Sequence, residues 1–138
     1  MRKLDRRGTA ALEFALVAVP LFTLMFVIFD LGRYAITAQS LRMLANAEAR
    51  AVMIKCYTPD VTAPTKLSPA GCTSDEMLTA DKQAVAPFLY LGGLAPTMTI
   101  TASANALTIK ATQPGFTMLM PIWGATLNAP SASTSIPF

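Results

Sequence analysis

From Ala10 to Phe29 the chain reads AALEFALVAVPLFTLMFVIF, an apolar run interrupted by a single charge, Glu13. At about 1.5 Å per helical residue such a run spans roughly 30 Å, the thickness of a bilayer's hydrocarbon core. A helix that is apolar on every face can be buried inside a large protein or inside a membrane. With 138 residues in all, too little chain remains to surround it with protein, and a membrane-spanning helix is the expectation. The hydrophobic fraction of 53% and the charged fraction of 14% point the same way. Pro20 lies inside the run and leaves the carbonyl of Leu16 without its helical donor, which spanning helices tolerate.

The net charge of +3 does not mark a nucleic-acid binder, because the excess sits at one end. Arg2, Lys3, Arg6 and Arg7 form a basic leader opposed only by Asp5, while from Thr9 onward seven basic residues face seven acidic ones. No basic stripe is left to release counterions from phosphates. A leader of this kind beside a span favours a cytoplasmic N-terminus and an exported C-terminal part. The chain has no histidine, so the commonest general base and the commonest nitrogen metal ligand are missing. Neither an enzyme, nor a cofactor site, nor a small-molecule substrate is expected.

After the run, DLGRYAITAQSLRMLANAEARAVMI contains no proline and continues the helix in amphipathic form. Tyr34, Ala38, Leu41, Ala45 and Val52 recur at three-and-four spacing, with Arg33, Thr37, Ser40, Asn46 and Arg50 on other faces. The expectation is a continuous helix of about 45 residues, its second half a stalk beyond the membrane. Residues 56–73, rich in proline and bounded by Cys56 and Cys72, read as a loop. In an oxidising compartment those cysteines would form a disulfide worth about 3 kcal/mol, the alternative being two free buried thiols. Two thiolates without histidine supply only half a tetrahedral metal site.

Farther on, Thr73 and Glu76 have the spacing of a capping box, with Asp75 in the first turn of a short helix ending before Pro87. Gly92 and Gly93 mark a turn. TMTITAS and ALTIKAT alternate as a hairpin, and a further strand over 124–128 is expected. FTMLMPIW is too short to span and would pack on the hairpin or a partner, with an edge strand or a loose tail at the end. The fold class is thus α+β: a leader (1–8), a transmembrane helix (9–29), a helical stalk (30–55), and a small exported domain of one short helix and antiparallel strands (56–138).

The segment RRGTAALEF, Arg6 to Phe14, sets basic residues, a glycine and then a glutamate five places on inside an apolar run. Over residues 6–55 the chain resembles the TadE-like pseudopilins of the tight-adherence (Flp) pilus system, a group of type IV pilin-like proteins. The continuing sequence is also similar, including a proline in the span and the Asp30, Gly32, Arg33 feature. The resemblance implies cleavage by a membrane prepilin peptidase between Gly8 and Thr9. It makes Glu13 the fifth mature residue, followed by Phe14 in the aromatic place. A phenylalanine where the major Flp pilin has tyrosine implies a minor component.

Cleavage would free an amine at Thr9 that the Glu13 carboxylate, one helical turn on, could neutralise on its own or a neighbouring chain. The expected role is that of a minor pilin or pseudopilin in the bacterial inner membrane, its C-terminal domain periplasmic, its partners the prepilin peptidase, other pilins and the assembly machinery. The rival expectation is an uncleaved signal-anchored protein whose exported domain binds a partner.

Overall fold

A computed structural model describes residues 6–65 and 68–138, with side chains described from Gly8 onward. Its first element, α1, runs Arg6–Val52 as 47 residues without a break at Pro20, roughly 70 Å of helix. Within it the hydroxyl of Thr23 donates to the Val19 carbonyl at 2.8 Å, which hides that polar group inside the apolar run. The side chains from Gly8 to Phe29 are almost all exposed, Phe14 at 72% and Leu24 at 60%. This helix is long and apolar enough to cross a membrane, and none of its most apolar stretch is covered by the rest of the protein.

The helix does not stop at Cys56, where the sequence suggested a loop. A π-helical turn, Met53–Tyr57, follows α1 and leads directly into α2, Thr58–Thr62. The Thr58 N–H bonds the Met53 carbonyl five residues back. This wider turn shifts the ladder by one residue where Pro59 can donate no hydrogen bond. Ala63, at φ −59° and ψ 148°, ends the helix, as expected of a residue forced extended by the following Pro64. Cys56 and Cys72 are joined by a disulfide with their Cα atoms 5.8 Å apart. The bond ties the helix end to the returning chain.

The short helix α3 spans Thr79–Val85 with Leu78 at its N-cap, so the Thr73–Glu76 capping box does not form. The backbone there is used otherwise: the Glu76 N–H donates to Glu48 Oε1 of α1 at 2.7 Å, and the Met77 N–H to Asp75 Oδ1 at 3.3 Å. A 3₁₀ segment over Pro87–Gly93 then turns the chain, with Gly92 and Gly93 at φ 71° and 77°, angles that glycine adopts without steric cost.

Three antiparallel strands follow, β1 Thr97–Ala102, β2 Ala106–Thr112 and β3 Ser131–Pro137, in the order β1-β2-β3. The expected hairpin is present. The strand expected over 124–128 is not; Gly124 and Ala129, both at positive φ, break the extended backbone, and the third strand begins after Pro130.

Strand register separates two faces. Ile100 pairs with Ile109, Met98 with Ala111 and Leu107 with Ile136, which puts an apolar layer on one side; Thr99, Lys110 and Ser133, or Thr101, Thr108 and Ser135, form polar rows on the other. The apolar face lies against α1. Ala49 and Val52 join Cys72, Ile100, Leu107, Ile109 and Ile136 in one cluster, and Leu41, Leu44 and Ala45 join Ala86, Leu89 and Ala111 in another. Alanines at 45, 49 and 111 let helix and sheet approach closely, and each fully buried leucine contributes about 1.5–3 kcal/mol. The second half of α1 is therefore one wall of the domain core.

Candidate functional site

Gly8, Thr9, Glu13 and Phe14 all lie on the first turns of α1 and all are exposed. Thr9 and Glu13, four residues apart, share a helix face one turn from each other. A side chain at Gly8 would meet nothing within 4 Å, so the backbone at the Gly8–Thr9 bond is open to approach. Among the described side chains none pairs with Glu13. Arg2 and Lys3 lie outside the described residues, as do the side chains of Arg6 and Arg7.

At the other end of the apolar run, Asp30 is 1% exposed. Its carboxylate accepts the Leu119 N–H at 3.1 Å, the Met120 N–H at 3.0 Å and the Arg33 Nη1–H at 3.3 Å. The Trp123 indole N–H is buried close by without completing a hydrogen bond of good geometry. Burial alone would raise the Asp30 pKa, but the Met120 and Leu119 amides, the Arg33 charge and the nearby indole together hold it below the ordinary carboxylate value.

Arg33 also lies over the Phe116 ring at 5.3 Å, and Tyr34 meets the same ring edge-on at 6.2 Å. The FTMLMPIW segment, expected on the hairpin or against a partner, docks instead on α1 at its exit from the apolar run. Nothing crowds Gly32, so the acid and the arginine do the holding in the Asp30, Gly32, Arg33 feature.

A second buried carboxylate lies farther along α1. Glu48 is fully buried; its Oε1 accepts the Glu76 N–H, and its Oε2 has no partner. Burial pushes its pKa up, opposed by the Glu76 amide; the neighbouring Asp75 carboxylate raises it further, and Lys82 offsets part of this. Lys82, itself buried, is paired with Asp75. Thr37, assigned to a polar face by its chemistry, is 2% exposed and donates its hydroxyl to the Arg33 carbonyl at 2.8 Å, which makes it compatible with the core.

Asp30 and Glu48 are the polar contacts that the helical pattern overlooked. Both carried a signal: Glu48 lies midway between Leu44 and Val52 at four-residue spacing, and Asp30 continues the Thr37–Leu41–Leu44 stripe by seven. A polar residue on an apolar stripe has a partner waiting.

Asp60 lies 3.7 Å and 3.5 Å from the Sγ atoms of Cys56 and Cys72. The bonded sulfurs carry no proton to share and no thiolate to offer a metal, so the three groups make no metal centre in this redox state.

No curated protein and no solved structure matches the chain. The family model described as TadE-like protein matches residues 8–50, the stretch that holds Gly8, Glu13, Asp30, Arg33 and Glu48. Across that stretch, an exposed apolar helix and its continuation along the domain, the chain is similar to the TadE-like proteins.

Proposed function

We propose that the protein is a minor pilin or pseudopilin of a Tad pilus, acting as a structural subunit after a prepilin peptidase cuts between Gly8 and Thr9. The observation that carries this reading is the placement of an accessible glycine, and of a carboxylate one turn beyond the new N-terminus, at the foot of an uncovered apolar helix. An ionised carboxylate in hydrocarbon is costly without a cation. The amine freed at Thr9, on the same or a neighbouring chain, supplies that cation.

The basic leader Arg2, Lys3, Arg6 and Arg7 favours retention of the N-terminus in the cytoplasm and export of the C-terminal domain to the periplasm, where a Cys56–Cys72 disulfide is stable. The face of α1 turned away from the domain leaves Ile36 and Met43 exposed at 52% and 56%, and Ile54 in the π-turn that follows is 72% exposed, a surface available to other pilins. Glu13 is the pairing residue and Phe14 its aromatic neighbour.

Glu13→Ala tests the role directly. Membrane insertion should be retained, since the change only makes the span more apolar, while pilus assembly in cells should fall by about thirtyfold or more, the loss of about 2 kcal/mol or more from truncating one partner of a desolvated charge pair. Unchanged assembly would contradict the pairing role.

A further inference from the structure

No charged side chain follows Lys110 in the sequence, and the most apolar part of this uncharged region is the loop Thr117–Trp123. Its position is fixed by Asp30, the residue directly after the apolar run, which holds the Leu119 and Met120 amides. The loop therefore sits at the level where α1 leaves its apolar stretch. It turns its large side chains outward: Leu119 is 74% and Ile122 60% exposed, with Pro121 exposed between them. Trp123 is half-buried at the same level.

An apolar loop facing water would be a liability, yet here the apolar phase that α1 enters begins beside it. The geometry points to Thr117–Trp123 as a second membrane contact, seated in the interfacial zone of the bilayer that α1 crosses. Leucine, isoleucine and tryptophan side chains are those that partition into that zone. With no basic residue in the loop, the seating is driven by apolar burial and is indifferent to anionic lipid. The exported domain is then held to the membrane at two points, and a subunit leaving the bilayer for a filament has to withdraw the loop as well as the span. This rests on the reading of α1 as a spanning helix whose apolar stretch ends at Phe29.

Trp123 is the only tryptophan, so its fluorescence reports on the loop alone. The full-length protein would be reconstituted into phosphatidylcholine vesicles that carry a spin-labelled lipid, with the quencher either just below the headgroup or at the end of the acyl chain. The shallow label should lower Trp123 emission about twofold and the deep label much less. The double variant Leu119→Ser, Ile122→Ser, which alters only exposed side chains, should lose most of that quenching while keeping its disulfide.

Emission untouched by either label, in protein that floats with the vesicles, overturns the seating and leaves the span intact. Emission that responds to the protein-to-lipid ratio but not to the labels means that a second chain covers the loop, and also overturns it. Protein that does not float overturns the span, and the seating with it.

Discussion

The carboxylate of Asp30 accepts the main-chain N–H of Leu119, 89 residues away in sequence, at 3.1 Å. This contact joins the end of the apolar run to a loop late in the chain. It also turns a helix that could have been a flexible tether into a fixed mount.

Asp30→Ala should release the loop while leaving the helix in place. The Leu119 and Met120 amides lose their acceptor, and amide hydrogen exchange across residues 116–123 should speed up about tenfold or more, with the exchange of β2 unchanged. Acid should do the same reversibly. The folded-state pKa of Asp30 lies below its ordinary value of 3.8, so its contribution is complete above pH 3.8 and is lost as pH falls through the lower folded value.

Glu48 should give the opposite pH dependence. Its folded-state pKa lies above 4.5, so its contribution is complete below pH 4.5 and is lost as pH rises through the higher folded value. Thermal melts in a pH series from 4.5 to neutrality should show this decline. Glu48→Gln keeps an acceptor for the Glu76 N–H but cannot ionise, and should flatten the slope. An equally steep slope in the variant would assign it to another group, with Asp75 or Lys82 beside it the first to examine.

Removing the disulfide should loosen the junction between α2 and the domain. Cys56→Ser with Cys72→Ser should lower unfolding stability by about 3 kcal/mol, measured as a shift of the denaturant midpoint for the detergent-solubilised protein. Addition of reductant to the wild type should shift it equally.

Sequence periodicity sufficed for the long helix, the hairpin and the glycine turn, because each depends on local pattern: an unbroken apolar run, alternation in TMTITAS and ALTIKAT, and two adjacent glycines. The sequence expectation fails where a distant contact, or a local change in the helical ladder, overrides residue preference. The Thr73–Glu76 capping box lost its backbone to Glu48 on α1, and the helix continued past Pro59 because a π-turn absorbed the missing N–H. At the site, the cysteine pair could be read from the sequence, and the Asp30, Gly32, Arg33 feature came with the resemblance to TadE-like proteins. What Asp30 holds could not, because nothing near it in the chain identifies an amide pair 89 residues away.

The mature N-terminus tests the central claim most directly. Intact-mass and N-terminal peptide measurement on protein extracted from the membrane of cells that carry the pilus machinery should find a chain beginning at Thr9, with the leader absent. A chain that still begins at Met1 or Arg2 would contradict processing and leave a permanently anchored protein whose Glu13 never meets a free amine.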